Sequence, residues 1–535
     1  MAFGSYEVGV IQRTVLPTTT DPRLAELALS AWTAKRRPDT ANLTSHAFVA
    51  PALARPDLSL AEASTEWSGL LADSSTGVSV IQTEIDEIGY RLYGIEDEDR
   101  RAIEAMLGQS GSNDEDAGGE DQEDEDAPSA DAPALVSELF DYLLGTILGR
   151  WDIRYATGEH PAPDPPEPFA PLPVCPPGML RNAEDLPAGP EDVPLDYPLP
   201  IIWPGILVDD RNHPKDIVAG LREAIRAVWG EKADAIEQEA CEILGVKAKP
   251  RENLDALRVW FRDPNRFFKD HLARYSKSRR KAPIYWPIST ESGSYTLWIY
   301  CHRLDSQTVY TCITEFLQPK REEVGREIEA LRNRIGATDD AEDLQRLEDL
   351  VAFQSELKTL HDRLLEVASL PYRPDLNDGV QITAAPLWKC HRHSPWQKIL
   401  KDTWKDLEKG KYDWAGLAMA VWPDRVVPKC AKDRSLAMAH GLEDLLWVPD
   451  LAGKKKGQYR PLKSPEEERE HLLQAGYGKE DVERATQSAE AAERLGLLSH
   501  FWTRHPGNTC RRRLVPKEEI ESEIARRKRQ KAGSQ

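Results

Sequence analysis

The sequence lacks the marks of most enzyme classes. It has no phosphate-cradling GxxxxGK[ST] loop, no GxSxG elbow, no HExxH helix and no CxxC pair. No glycine-rich loop follows a strand-like run to hold a nucleotide-like cofactor. A nuclease-type carboxylate cluster is also missing, because Glu356-Leu357-Lys358 falls in a charged helical run and reads as an exposed helix face. These absences argue against nucleotide hydrolysis, acyl transfer and zinc proteolysis. The seven cysteines (175, 241, 301, 312, 390, 430, 510) are odd in number and scattered, which excludes a disulfide framework and points to a reducing cytoplasm. No apolar run approaches the ~18 residues that span a bilayer, so no membrane association is expected. The N-terminal residues carry no charged stretch followed by an apolar one, so no secretory signal is expected.

What is present is charge. Charged residues make up 30% of the 535 positions, and the net charge is −21. Mean hydropathy is −0.55. The length suits about three domains with a large core. The acidic balance weighs against nucleic acid until its distribution is considered. Residues 113–132, NDEDAGGEDQEDEDAPSADA, hold ten acidic side chains and no basic one, and without them the balance is −11. Binding depends on local patches rather than on the total.

Periodicity indicates an α+β chain, mostly helical, with a β-hairpin and an antiparallel helical spacer arm. Residues 1–110 read as a helical segment. Leu24, Leu27, Ala28, Ala31 and Trp32 form one stripe behind Asp21-Pro22, and Val78–Tyr93 forms another that stops at Gly94. Residues 111–133 read as a disordered acidic insert. Residues 134–204 begin with a buried helix, pass through a strand-like Trp151–Tyr155, and continue as a proline-rich surface wrap. Asp164-Pro165-Pro166-Glu167 superficially matches an amino-methyltransferase motif, but Glu167 stands where an aromatic must stack on a base, and the match fails. Residues 205–318 form the expected recognition core, and 319–370 two charged helices around Gly336-Ala337-Thr338 with leucines near heptad spacing. Residues 371–450 are a tryptophan-rich region suited to recognition or docking, and 451–535 a charged helical tail.

Two stretches concentrate cations beside aromatics. The first is RFFKDHLARYSKSRRKAPIYWPISTESGSYTLWIY, from Arg266 to Tyr300. An amphipathic helix leads into Arg274, Lys277, Arg279, Arg280 and Lys281. Two strand-like runs follow, Ile284–Thr290 and Ser294–Cys301, joined through Gly293 as a hairpin. Cations beside a rigid aromatic element, here Tyr285 and Trp286, suit phosphate contact and base-edge reading. A solvated basic turn leading into an ordinary core hairpin would look the same. The second stretch sets Lys389, Arg392, His393, Lys398, Lys401 and Lys405 among Trp388, Trp396 and Trp404, where core tryptophans with a lysine rim are the plain alternative. Cys390-His391-x-His393 lacks the second ligand pair of a zinc site, so no metal is expected.

Four phrases carry a family resemblance: GRWDIRYATGEHPAPDPPEPFAPLP with PPGML, FFKDHLARYSKSRRKAPIYWPIST, GSYTLWIYCHRL, and WPDRVVPKCAKDRSLAMAHGLEDLLW. Together they resemble the C-terminal half of large bacterial adenine-specific DNA methyltransferases of the type IIG group and of the phage-defence BREX (PglX-like) and DISARM systems. The resemblance runs from about Ser5 to Trp447. In that family an N-terminal half carries the S-adenosylmethionine fold and an Asn-Pro-Pro-Tyr/Phe motif that holds a flipped adenine. Neither is found in this sequence. The resemblance therefore implies a target-recognition region and helical spacer that grips double-stranded DNA, with no catalytic residue and no cofactor of its own. S-adenosylmethionine is expected on a methyltransferase subunit or on a missing N-terminal half. The alternative is a non-catalytic interaction scaffold in a phage-defence complex.

Overall fold

A computed structural model describes residues 19–110, 130–164, 166–277, 280–335, 341–449 and 459–462, with a few isolated positions outside those ranges. The chain is α+β and mostly helical. It divides into two compact units. One comprises residues up to Pro287 together with Gly293–Cys301, and the other comprises Ile288–Ser292 and the residues from His302 onward. The division falls inside the 205–318 stretch that the sequence presents as one recognition core.

In the first unit, α1 (Arg23–Asp39) and α2 (Leu60–Tyr93) pack on each other. α2 starts eighteen residues before the Val78 stripe, at a capping box in which Ser59 and Glu62 satisfy each other's backbone donors. Gly94, at φ 64°, ends it as expected. α3 (Asp97–Ser110) follows. Residues 111–129, most of the acidic insert, lie outside the described residues.

α4 (Ala132–Ile147), capped by Asp131, is the central element. The sequence shows one apolar face, but the helix is buried around nearly its whole circumference, including Ser137, Asp141 and Thr146. Trp151–Tyr155 is not a strand. Trp151 makes a single bridge to Met179, and Arg154–Thr157 is a helical turn. The alternation there has another cause: Trp151 and Ile153 point into the core, with Trp151 4.6 Å from Phe48.

β1 (Ile206–Val208) precedes α5 (Ile217–Trp229), α6 (Ala233–Ile243), α7 (Ala256–Arg262) and α8 (Phe267–Arg274). A two-stranded ribbon comes next, β2 (Ser276–Lys277) and β3 (Arg280–Lys281), and then β4 (Tyr285–Ser289) and β5 (Thr296–Tyr300). The expected hairpin is present, and Gly293 at φ 81° supplies the left-handed residue its joint requires. β1 adds to the outer side of β5, giving the order β1-β5-β4 with Leu207 opposite Trp298. Every residue of these three strands is buried.

In the second unit, Thr308–Leu317 leads into α9 (Gln318–Ile335), followed by α10 (Ala341–Ser369). Arg334 pairs with Asp343 and Arg346 with Glu327, so one number falls as the other rises and the pair is antiparallel. Val324, Ile328 and Leu331 face inward on α9, as Leu357, Leu360 and Leu364 do on α10. Gly336-Ala337-Thr338 lies outside the described residues. α11 (Ser394–Glu408) and three shorter helices, Gly416–Val421, Pro423–Cys430 and Arg434–Ala439, follow. β6 (Trp447–Pro449), at the end of the tryptophan-rich region, then pairs with β7 (Tyr459–Pro461), which falls in the stretch that composition assigns to tail.

Candidate nucleic-acid interface

The first cationic stretch separates into an inner and an outer part. The inner part is a buried polar network on α4. Asp141 is fully buried, and its Oδ2 accepts from His271 Nδ1 at 2.7 Å and from Arg274 Nη1 at 2.6 Å. His271 Nε2 accepts from the backbone N–H groups of Ile284 and Tyr285 at 2.8 and 3.0 Å. Two donors facing Nε2 require the neutral, Nδ1-protonated ring. Burial lowers the His271 pKa and outweighs the pull of Asp141. Burial alone would raise Asp141, but His271 and Arg274 more than offset it and hold the carboxyl low. Arg150 lies 4.3 Å over the Trp151 ring and donates to the Tyr275 hydroxyl at 3.0 Å.

This network corrects part of the sequence expectation. Arg274 is committed to Asp141, with only 15% of its side chain exposed. Tyr285 and Trp286 are at 0% exposure, with Tyr285 stacked on His271 at 4.9 Å. Tyr285 and Trp286 present no surface to a base or a phosphate, and Arg274 is largely withdrawn from one. They are aromatic and cationic because α8 and the sheet close a core around Asp141, a partner 133 residues from Arg274 that local sequence cannot reveal.

The outer part is the β2–β3 ribbon. Lys277 and Arg280 are exposed and Lys281 is half-buried, and Arg279 lies outside the described residues. The register sets Lys277 directly opposite Arg280 and Ser276 opposite Lys281. Like charges directly opposed across a ladder are destabilising.

In the second unit the tryptophans and lysines also divide. Trp396 is fully buried, Trp388 and Trp404 are half-buried, and Lys398, Lys401 and Lys405 are exposed. His393 is buried and caps α11, its side chain accepting from Trp396 N at 3.4 Å, so it serves the helix rather than a ligand. Lys389 pairs with Glu366 at 2.7 Å, and Arg392 donates to the Glu291 carbonyl at 3.1 Å. The Glu356 carboxylate accepts from Ser292 N and Oγ, a structural use of that acid. Among the described residues, no group of three metal-ligating side chains converges, and no helix is long and apolar enough to cross a membrane.

Sequence reasoning missed a second buried network in the first unit. Arg258 pairs with Asp209 and with Asp216 (2.8 Å), and Arg262 reaches Asp209 at 2.6 Å. It closes the turn between β1 and α5, the strand-to-helix junction where a cofactor loop would be sought. That turn, Asp209–Asp216, has no glycine, and the Asp209 and Asp216 carboxylates are consumed by arginines. The described residues therefore do not fit S-adenosylmethionine there.

No family model matches the chain. Two curated proteins are similar over part of it. The chain is 29% identical over 186 residues to the adenine-specific methyltransferase BrxX of Escherichia coli O9:H4 (strain HS), a match covering 33% of this chain and 15% of that protein. It is 24% identical over 334 residues to the adenine-specific methyltransferase PglX of Lacticaseibacillus casei (strain Zhang), covering 60% of this chain and 23% of that protein. The matches thus span less than a quarter of the length of either relative, and the chain is their distant homologue.

Proposed function

We propose that this chain is a DNA-gripping, target-recognition portion of a phage-defence adenine methyltransferase, related to the BrxX and PglX proteins, and that methyl transfer takes place outside these residues. The kinship to adenine-specific methyltransferases supports the methyltransferase context, and duplex DNA is the substrate this reading assigns. The sequence has neither an Asn-Pro-Pro-Tyr/Phe segment nor a cofactor loop, so S-adenosylmethionine belongs on a partner subunit or on the part of the family's length that this chain does not span. The observation that carries the reading is the ribbon. The register sets two exposed cations, Lys277 and Arg280, side by side, where one polyanion can neutralise both. Lys281 adds a cation on the ribbon's other face, opposite Ser276, and Lys398, Lys401 and Lys405 offer a second cationic surface on α11.

A filter-binding titration of a duplex across a salt series tests this reading. The triple variant Lys277→Ala, Arg280→Ala, Lys281→Ala should bind more weakly and reduce the slope of log affinity against log salt by about one for each phosphate that is no longer neutralised. An unchanged affinity and slope would remove the ribbon from the interface. Calorimetry of the chain alone with S-adenosylmethionine should give no binding heat, whereas saturable heat would favour a complete enzyme.

The scaffold reading has one observation of its own. Phe169, Leu172 and Val174 in the proline-rich wrap are 100%, 73% and 81% exposed, a run of apolar side chains suited to docking. A chain that copurified with a methyltransferase subunit but showed no duplex affinity would favour it.

A further inference from the structure

The second unit contains a cleft of about 300 Å³, at the lower end of the range for small-ligand sites. Two helices supply its walls from single stripes. Arg363, Glu366 and Val367 lie along the end of α10, and Lys401, Trp404, Lys405 and Glu408 recur at i, i+3, i+4 and i+7 along α11. The short helical segment Ala385–Cys390 adds Trp388. The committed groups are on the α10 side, where Lys389 pairs with Glu366, and Arg363 pairs with Glu291 and donates to the Lys389 carbonyl. On the α11 side, Lys401 is exposed and sits 5.0 Å over the Trp388 ring, and Lys405 is exposed beside it, 3.5 Å from Asp402 in a solvent-facing pair of little strength. Trp404 is half-buried, resting against Trp422 at 5.5 Å. Cys390 does not equip the cleft for covalent chemistry, because burial pushes its thiol up to about 12.

From this geometry we infer that the cleft binds a single unpaired nucleotide, with the base on an indole face and the phosphate on Lys401 and Lys405. Every base has a π-face, so tryptophan receives it without hydrogen-bond readout, and lysine on a flexible stem meets the phosphate as a point charge. The Glu408 carboxylate adds an acceptor for an exocyclic amino group, which favours adenine, guanine or cytosine. A base inside a duplex offers no free face to a cleft this small. The site is therefore distinct in kind from the ribbon's duplex contact and does not depend on it, and it takes for one nucleotide the Lys401 and Lys405 that the proposed function sets on a cationic surface of α11. The occupant is either a free nucleotide or an unpaired nucleotide of a DNA strand, since both present the same chemistry.

Fluorescence anisotropy of the full chain with a labelled oligo-dA, with adenosine monophosphate as competitor and a labelled duplex as a separate arm, tests this. Saturable oligo-dA binding is expected. Trp404→Ala should weaken it about fivefold or more, in line with the loss of one stacked base. The pair Lys401→Glu and Lys405→Glu, both on the exposed side of α11, should abolish it with the fold intact by circular dichroism. Trp404→Phe should retain most of the affinity. Competition by the monophosphate identifies the free nucleotide as sufficient, and its absence identifies the strand; either supports the site. Loss of duplex binding in the ribbon triple variant, with oligo-dA binding unchanged, would separate the two surfaces. The inference is overturned if oligo-dA does not bind, or if the lysine pair variant binds it as tightly as the parent chain.

Discussion

His271 sits among donors and acceptors that allow it one protonation state. Its Nδ1–H is spent on Asp141, and its Nε2 faces two backbone N–H groups, so a second proton has nowhere to go. Unfolded, the same ring takes a proton near pH 6.5, the value from which burial lowers it in the fold. Below that pH the unfolded chain binds the extra proton, and stability falls as the medium acidifies. Asp141 acts in the same direction lower down. Its native pKa lies below 3.8, so its contribution is present above that value and is lost as the pH drops through the native one. The melting temperature should decline from about pH 7 to pH 5, and His271→Gln should flatten that segment while lowering the whole curve. Parallel slopes in the two proteins would contradict the neutral-histidine assignment. Arg274→Ala strips Asp141 of its cation and should cost about 3–5 kcal/mol in denaturant unfolding. Gly145 makes a related point through packing. A Cβ there would lie 2.3 Å from Trp151 Cδ1 and 2.8 Å from the Tyr285 hydroxyl. Gly145→Ala should therefore destabilise by about 1–3 kcal/mol, despite gaining up to ~1 kcal/mol of helix propensity.

At the scale of elements, the antiparallel α9–α10 pair is held by a narrow apolar seam, and its ion pairs lie on the exposed side. Leu360→Ala should lower stability by about 2–5 kcal/mol. Leu344→Ala, at a position 46% exposed, should change it by less than about 0.5 kcal/mol, and chemical denaturation of the two variants gives the comparison. The leucines of this hairpin recur at helical spacing, so the element was legible in the sequence. So were α4, α5 and the β4–β5 hairpin, whose tyrosines, tryptophans and isoleucines flank a glycine joint. β1 and the β2–β3 ribbon were not legible. Strands of three and two residues are too short for alternation to register, and β1 is buried on both faces, which erases alternation altogether. The proposed interface was legible only as a set of cations. Which cation faces water depends on partners far along the chain: Asp141 removes Arg274, Glu366 engages Lys389, and the ribbon's register sets Lys277 opposite Arg280. The cleft was signalled by its i, i+3, i+4, i+7 stripe on α11, but not its depth, because that requires α10 and Trp388 to be placed opposite.

At the scale of the whole molecule, a chain of net charge −21 is proposed to hold a polyanion. Long-range repulsion acts on the encounter and is screened within about 8–10 Å at physiological salt, whereas contact at the ribbon is local. Residues 113–132 contribute ten of the negative charges without a single positive one, which makes them the largest removable part of that repulsion. Deleting residues 113–130, which hold nine of those ten acids, spares the Asp131 cap of α4, brings the net charge from −21 to −12, and leaves Lys277, Arg280, Lys281 and the α11 lysines untouched. If the tract acts only through its charge, the deletion should tighten duplex binding several-fold at about 50 mM salt, mainly through faster association, and the advantage should vanish by about 300 mM. If it competes directly for the cationic surfaces, that contact also weakens with salt, but a separate peptide of residues 113–130 added to the deleted chain should restore the inhibition, which a charge acting at long range within the chain does not require. Association and dissociation rates of one labelled duplex, measured at both salt concentrations for the parent chain and for the deleted chain with and without the peptide, decide between the two. A deletion that left all four rates unchanged would show that the acidic tract takes no part in DNA binding.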